Sequence, residues 1–459
     1  MVRGLSDFKT VFFIGIAGTG MSAIAQWLVE TGKQVSGSDR YFLPGVFNDT
    51  RDKLETLGIR CFLQNGEGIS SVTDLVVVST AVEDTVPEVQ KAMRLKIQII
   101  KRSELLSLIA ASKKTIAIGG TSGKSTTCAM LFDILQHANK NPGIISGAGL
   151  VSIMKEGRIG NAKAGQGELL VIEADESDGS IIQYKPEVGV VLNIDKDHKE
   201  MDTLMEIFSE FRNNTIKLFL VNQAQAGARQ LSLNKAHDFS ADPDYPAGYQ
   251  ANGFNQQGLA ISFRINGEDF TLNLVGRHNM ENALAASAVA NQLGVELITC
   301  AEALKSYEGI YRRHQVLGKK HGVWLIDDYA HNPVKCAVSI EACQQIAPRV
   351  IAWFQPHGYG PTRFLRHDFV TEIGRVLRSD DEIWMSEIFY AGGTTTKDIS
   401  ASDLINDLKE KGKRAFFVEN RDLFLEIVRP HLTADCVLLL MGARDPSLEN
   451  FAKQVWEQL

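Results

Sequence analysis

The 459-residue sequence contains no apolar run approaching the about 18 residues that a membrane-crossing helix needs, so no span is expected. It has no excess of basic charge either: 48 Lys and Arg stand against 55 Asp and Glu, a net charge of −7. With no long basic block to relieve that balance, the chain is a poor candidate for coating nucleic acid or an anionic membrane, and any anionic ligand must be met by positive charge gathered locally. Cysteine is scarce. The six residues (Cys61, Cys128, Cys300, Cys336, Cys343 and Cys436) are scattered, with no Cys-x-x-Cys pair and no metal-type spacing, as expected of buried thiols in a reducing compartment. The opening stretch holds only the short apolar run VFFIGI before a glycine loop, the pattern of a buried strand and turn and not of a cleavable signal. The expected location is cytoplasmic.

What is present is the composition of a folded enzyme-sized chain, 44% hydrophobic and 22% charged. At roughly 100–200 residues per domain, the length implies two to four domains. Short apolar runs alternate with helical patterns: KTVFFIGI, then a helix over SAIAQWLVETG, then QVSGSD and LVVVSTA. Repeated βα units of this kind predict a parallel sheet. The basic pair Lys113-Lys114 closes one helix just before the strand TIAIGG, which places a first boundary after residue 111. A second α/β unit, 112–313, includes the strands LLVIEAD and VGVVLNI and a hairpin around Asn266-Gly267. Between them, residues 223–255 are polar, carry Pro243 and Pro246, and are expected to be irregular. The third unit, 314–459, has apolar runs at VWLIDDY, RVIAWF, EIWMS, RAFFV and CVLLLMG, again a parallel pattern.

The sharpest motif is Gly119-Gly120-Thr121-Ser122-Gly123-Lys124-Ser125-Thr126, between a β-branched strand and a helical run. A glycine turn at a helix N-terminus aims backbone N–H groups and the positive end of the helix dipole at phosphate. Lys124 is expected to reach the β- and γ-phosphates and the Ser125 hydroxyl to bind Mg²⁺. The strict pattern has glycine where this chain has Ile118. Glu173-Ala-Asp-Glu-Ser-Asp178 follows the next apolar strand, and a carboxylate at that carboxyl end is placed to hold Mg²⁺. Asp195-Lys-Asp-His198 closes a further strand on the same edge, and His198 there suits a metal or substrate. Gly15-Ile-Ala17-Gly18-Thr19-Gly20, with Asp39 at the end of the second strand, reads as a pyrophosphate turn with a ribose or sugar acceptor. It fits a dinucleotide or a UDP-sugar equally. Gly276-Arg-His278-Asn279 and Asn282 open an alanine-rich helix, where capping and an adenine edge are equal alternatives. Asp327-Asp328-Tyr-Ala-His331-Asn-Pro333 and Gln355-Pro-His357-Gly-Tyr-Gly-Pro-Thr-Arg363 lie at strand ends of the third unit.

In this order the motifs resemble the Mur ligases of peptidoglycan precursor synthesis, most closely the branch that joins L-alanine to UDP-N-acetylmuramate. The pieces that carry the resemblance are IGIAGTGMSAIA, SGSD, VVVSTAV, GTSGKSTT, EADESD, LNIDKDH, GRHNMENALAA, YRRHQVLG, DDYAHNP and FQPHGYGPTR, which together span the chain. The resemblance implies an N-terminal Rossmann-like domain for the UDP-sugar, a central P-loop-type ATPase domain with a small antiparallel element, and a C-terminal Rossmann-like α/β domain for the amino substrate. It implies ATP and Mg²⁺, with Mn²⁺ as an alternative metal, and no nucleic-acid or membrane partner, in a monomer or homodimer. Lys124, Glu173 and His198 are the implied catalytic groups, with Ser125, Glu173 and His198 as metal ligands. ATP is assigned Gly120 to Thr126 together with His278, Asn279, Asn282, Arg313, Asp328 and His331. The sugar nucleotide and amine are assigned Gly15, Ala17, Gly18, Thr19, Gly20, Asp39, Ser79, Thr80, Arg102, His357 and Arg363.

The chain departs from the alanine-adding pattern at three places. Ser122 stands where histidine is usual, Ala330 and Asn332 stand where glycine and histidine are usual, and Gly358 and Pro361 stand where arginines are expected. A recycling ligase that adds a peptide to UDP-N-acetylmuramate, or a related ligase with another amine, is the alternative reading. A nicotinamide-dependent oxidoreductase would explain the first glycine turn and Asp39 but leaves the Gly-Lys-Ser-Thr loop without a role.

Overall fold

The computed structural model describes residues 2–79, 82–177, 179–195, 200–390 and 396–459. Among them, no helix is long and apolar enough to cross a membrane. The chain divides into two compact units: Met1–Gly253 with Phe263–Leu272 and Met280–Ile310, and Phe254–Ser262 with Asn273–Asn279 and Tyr311–Leu459.

Four sheets carry the architecture. The first contains β1 (Thr10–Ile14), β2 (Gln34–Asp39), β3 (Arg60–Leu63), β4 (Leu75–Val78) and β5 (Gln98–Lys101) in the order β3-β2-β1-β4-β5, all parallel. The second contains β6 (Lys114–Gly119), β7 (Gly143–Ile145), β8 (Ala162–Lys163), β9 (Leu169–Ala174), β10 (Val188–Val191) and β11 (Leu218–Val221). Its order is β11-β10-β6-β9-β7-β8, and only the edge strand β8 is antiparallel to its neighbour. The central strand β10 (Val188–Val191) is apolar and buried throughout, and β6 is buried from Thr115 onward, because helices cover both faces of a parallel sheet.

The third sheet is small: β12 (Phe239–Ser240), β13 (Tyr249–Gln257), β14 (Ala260–Ile265) and β15 (Glu268–Leu272). Asn266 and Gly267 join β14 to β15 with φ of 48° and 97°, the left-handed pair a two-residue hairpin requires. Residues 223–255 are more ordered than their composition suggests. They contain the short helix Ala226–Arg229, β12 and most of β13. In β13 only Tyr249 and Ala251 are buried, so the alternation that marks a strand is nearly absent from its sequence.

The fourth sheet holds β16 (Gln315–Lys320), β17 (Val323–Asp328), β18 (Arg349–Gln355), β19 (Glu382–Met385), β20 (Ala415–Phe417) and β21 (Cys436–Gly442), in the order β16-β17-β21-β18-β19-β20. All its pairings are parallel except that of β16, an edge strand that the sequence pattern did not mark. Along β21 the period-two alternation divides the core, with Val437, Leu439 and Met441 packing on one face and Cys436, Leu438 and Leu440 on the other.

In the first compact unit the first two sheets share one continuous apolar core, from Val11 and Phe13 through Trp27 to Ile172, Phe208 and Val221. A buried polar joint adds direction to that packing. Asn161 donates its amide to the Thr19 carbonyl at 2.8 Å and accepts from the Gln26 amide at 2.6 Å, while Glu30 pairs with Arg158. Thr19 belongs to the first glycine turn, so its position is tied to the second sheet.

Candidate active site

The glycine turn assigned to ATP forms where β6 gives way to the helix Lys124–His137. Gly120 has φ of 139° and Gly123, the helix N-cap, 83°, conformations that L side chains rarely adopt. Space also demands glycine here. A Cβ at Gly123 would lie 2.5 Å from Asn282 Oδ1, and one at Gly120 would lie 3.1 Å from Leu192 Cβ. The turn is held from β10: Asn193 Oδ1 accepts the Ser122 N–H and the Thr121 hydroxyl, each at 2.8 Å, and its amide donates to the Ser122 carbonyl at 3.1 Å. The Asp195 N–H donates to Thr121 Oγ1 at 3.1 Å. Ser125 and Thr126 stand half-buried in the first helical turn.

Lys124 lies at the centre. Its ammonium donates to the Gly120 carbonyl at 2.6 Å and to Glu176 Oε2 at 2.7 Å, with Asp175 Oδ1 at 3.9 Å. Burial works against its charge, but Glu176 and Asp175 outweigh it and hold the lysine above its usual range. Asp175 is held low: burial pushes it up, and Lys124, the Ser177 N–H and Arg102 together prevail. The ammonium is therefore charged and already balanced by carboxylates.

Glu173, the penultimate residue of β9, is in register with Ile118, just before the glycine turn on the neighbouring strand. Ser146, just past β7, donates its hydroxyl to Glu173 Oε1 at 2.6 Å, and the Gly147 N–H donates to the same oxygen at 2.6 Å. This fixes the carboxylate on the carboxyl edge of the sheet beside the cradle. The donor set of Ser125 and Glu173 is all hard oxygen and suits Mg²⁺. His198, the other assigned metal ligand, lies outside the described residues, as does Thr80. Asn282 faces the cradle from the alanine-rich helix and accepts the Thr127 hydroxyl at 3.2 Å.

Residues assigned to the sugar nucleotide lie on the carboxyl edge of the first sheet. Gly15 (φ 82°) and Gly18 shape the turn into the helix Thr19–Glu30. Asp39 is buried, and its two oxygens accept the N–H groups of Ala17 at 2.9 Å and Tyr41 at 3.0 Å. It therefore shapes the turn from within, whereas its place at a strand end alone suggests a ribose or sugar acceptor. Ser79 follows β4 on the same edge. Arg102 follows β5 and lies against Gly20, where a Cβ would come within 2.9 Å of its guanidinium. Its charge also reaches Asp175, so it links the glycine turn of the first sheet to the acidic strand end of the second.

In the second compact unit a buried cluster surrounds the end of β17. Asp328 accepts the Ser339 hydroxyl at 2.7 Å and pairs with His314 Nδ1 at 3.4 Å, and the rings of His314 and His278 lie 5.5 Å apart. Asp328 is held below the usual carboxylate range: burial opposes, and His314, Ser339 and Arg313 prevail. Burial, then the charge of His314, lowers His278 to about 4. His331 is lowered to about 4 by burial and Lys335, and its Nδ1 lies 2.9 Å from the Tyr329 carbonyl. Because that carbonyl only accepts, Nδ1 carries the proton and Nε2 keeps its lone pair. Arg313 lies over Tyr329, 4.9 Å from the ring centroid. Asn279 donates its side-chain amide to the Val275 carbonyl at 2.8 Å. His357 lies 5.7 Å from His331, and Arg363 forms an ion pair with Asp398. Among the described residues no group of three or more His, Cys, Asp or Glu is arranged to hold a metal ion.

Three family descriptions match this chain in order: "Mur ligase family, catalytic domain" over residues 10–114, "Mur ligase middle domain" over 118–290 and "Mur ligase, glutamate ligase domain" over 312–444. The UDP-N-acetylmuramate–L-alanine ligase of Carboxydothermus hydrogenoformans is 34% identical over 456 residues, covering 96% of this chain and 95% of that protein. The chain belongs to the Mur ligase family. Its fold agrees with the UDP-N-acetylmuramate-alanine ligase MurC of Thermotoga maritima at a TM-score of 0.81 and 25% identity, with 98% of each chain covered. A murein peptide ligase of Psychrobacter arcticus shares the fold at a TM-score of 0.68 and 19% identity, again over 98% of each chain. The α/β three-domain Mur ligase architecture implied by the motifs is thus present.

Sequence reasoning passed over Asn193, Glu176 and Ser146 around the glycine turn of the first compact unit, and His314 beside Asp328 in the second. The available signal for Asn193 was its place directly after an apolar strand on the edge that also carries the phosphate turn.

Proposed function

We propose that this Mur ligase joins L-alanine to the lactyl carboxylate of UDP-N-acetylmuramate at the expense of ATP, in the synthesis of peptidoglycan precursors. The observation that carries the reading is the Lys124 ammonium on the glycine turn, one strand from the braced Glu173 carboxylate. The segment 1–111 takes the sugar nucleotide, 112–313 the ATP and 314–459 the amine.

A carboxylate acylates poorly, and an ammonium is no nucleophile. A lactyl oxygen attacks the γ-phosphorus in line, the bond to the bridging oxygen of ADP breaks, and an acyl phosphate forms. Lys124 leaves Glu176 for the phosphates and offsets the charge that accumulates between two anions. The backbone N–H groups of the turn, kept in place by Asn193, complete that cradle. Ser125 and Glu173 would hold Mg²⁺, which when bound supplies Lewis-acid charge to the phosphate oxygens. The ammonium gives a proton to water, the free amine attacks the acyl carbon, phosphate leaves with the former lactyl oxygen and takes up the second amine proton, and an amide remains. Arg102, between the turn at Gly20 and Asp175, is placed to steady the sugar nucleotide's negative groups next to the ATP.

Phosphate release with ATP, Mg²⁺ and UDP-N-acetylmuramate, measured against alanine, glycine, serine and a short stem peptide, tests the reading. Release that requires the sugar nucleotide and is fastest with alanine is the expected result. Release with the peptide alone would shift the assignment to a peptide-adding ligase.

A further inference from the structure

The helix that opens on the first glycine turn, Thr19–Glu30, is held at both ends by one short stretch at the edge of the second sheet, residues 158–164. At its start, the buried Asn161 gives both amide hydrogens to the first helical turn, donating to the Thr19 carbonyl at 2.8 Å and to Ser22 Oγ at 3.1 Å. Its side-chain oxygen accepts the Gln26 amide at 2.6 Å, one helical turn further on. At the far end, Glu30 accepts the Ala164 N–H at 2.7 Å and pairs with Arg158, whose guanidinium also donates to the Ala162 carbonyl at 3.1 Å. Two fixed points restrain the helix from sliding along that edge.

The main chain of Asn161 serves a second partner. Its carbonyl accepts the Ser146 N–H at 2.9 Å, and the adjoining Ala162 is in register with Ile145 across the β7–β8 pair. Ser146 is the residue whose hydroxyl braces Glu173 Oε1. Through its side chain Asn161 therefore holds the turn assigned to the sugar nucleotide, and through its carbonyl the residue that steadies the carboxylate assigned to Mg²⁺. A buried amide whose hydrogen-bonding groups are all engaged fixes geometry more than it adds stability. We propose that Asn161 is a positioning residue of the ligase reaction, keeping the sugar-nucleotide turn and the Glu173 carboxylate in one frame so that the lactyl oxygen meets the γ-phosphorus in line. The proposal rests on the ligase reading and deepens it. In-line transfer tolerates little error, since a misplacement of about 1 Å can cost on the order of 10²-fold in rate.

The test is steady-state phosphate release by the whole chain with saturating Mg²⁺ and L-alanine, varying UDP-N-acetylmuramate and ATP in turn. Asn161→Ala should raise the KM for UDP-N-acetylmuramate about tenfold, the scale set by losing two neutral hydrogen bonds, and lower kcat in the same sense. The KM for ATP should not change, because the turn at Lys124 keeps all its contacts. Asn161→Ser retains a hydroxyl donor at shorter reach and should show the same pattern at a smaller size, so it decides the matter if the alanine variant does not fold. Gln26→Met disturbs the same buried cluster but leaves Asn161 on Thr19 and Ser22; it should lower the urea unfolding midpoint without moving either KM. An unchanged sugar-nucleotide KM in a folded Asn161 variant overturns the proposal. So does an equal rise in the Gln26 variant, or a parallel rise in the KM for ATP, since either would mean that the joint only supports the fold. In those cases the ligase reading stands, whereas a wild-type protein that releases no phosphate with UDP-N-acetylmuramate overturns both.

Discussion

Asn193 offers the most quantitative test of the nucleotide cradle, because its side chain forms three hydrogen bonds with two consecutive residues of the turn. Asn193→Ala removes all three and leaves the Ser122 N–H and the Thr121 hydroxyl without their acceptor. At about 1 kcal/mol net for each bond the ceiling is about 3 kcal/mol, and water entering this half-buried site reduces it to about 2 kcal/mol. That energy is spent on shaping the turn before phosphate arrives, so it should appear as lost nucleotide affinity, about 30-fold at 1.4 kcal/mol per decade. Calorimetric titration with a non-hydrolysable ATP analogue measures it directly. UDP-N-acetylmuramate affinity serves as the internal control, since Asn193 touches neither Gly15 nor Gly20. Unchanged ATP-analogue affinity in a folded variant would refute the claim that β10 shapes the phosphate turn.

Other consequences can be measured separately. Lys124→Ala should lower turnover by about 10²–10³-fold in the phosphate-release assay, the typical cost of one preorganised charge contact, and near-normal turnover would contradict its role. Asp133, in the same helix, has its carboxyl pushed to about 7 by burial and then by Glu308. The folded state therefore binds the extra proton between about pH 4 and 7, and stability is lost as pH rises through that window. Asp133→Asn should gain about 2 kcal/mol more at pH 7.5 than at pH 5 in urea unfolding, and an equal gain at both would contradict the burial argument. His278 has the opposite sign, its folded value of about 4 lying below the ordinary 6.5. Its stabilising contribution is complete above pH 6.5 and decays as pH falls toward 4, by about 2 kcal/mol at pH 5. His278→Gln should flatten that acid limb.

The parts of the site that were legible in the sequence are those where backbone conformation or sheet topology leaves little choice. Gly120 and Gly123 had to be glycine for both φ and space, and the strand–turn–helix context around Lys124 is visible as a switch in apolar period. Glu173 was legible because an acid after an apolar strand must emerge at the ligand-binding edge. Asn332 and Pro333 start a helix that the sequence reading had not marked, with the Asn332 side chain accepting the Lys335 N–H. Asn193 and His314 were not legible, because their meaning depends on partners distant along the chain. Asn193 acts on residues 71 and 72 positions away, and His314 meets Asp328 and Ser339, 14 and 25 positions on. The strands β13 and β16 were missed because Tyr249–Gln257 and Gln315–Lys320 lack regular alternation, and only their sheet neighbours make them strands. Asp39 shows the converse. Its location was correctly read, and its two backbone hydrogen bonds came from the turn geometry.

The central claim is that a lactyl oxygen is phosphorylated beside Lys124 before the amine arrives. It is tested most directly with UDP-N-acetylmuramate labelled with ¹⁸O in its carboxylate. With ATP, Mg²⁺ and L-alanine, each phosphate released should carry a single ¹⁸O atom by mass spectrometry, because the carbon–oxygen bond breaks when the amide forms. Phosphate free of the label would mean that water, and not the sugar's carboxylate, attacks the ATP, and would contradict the account.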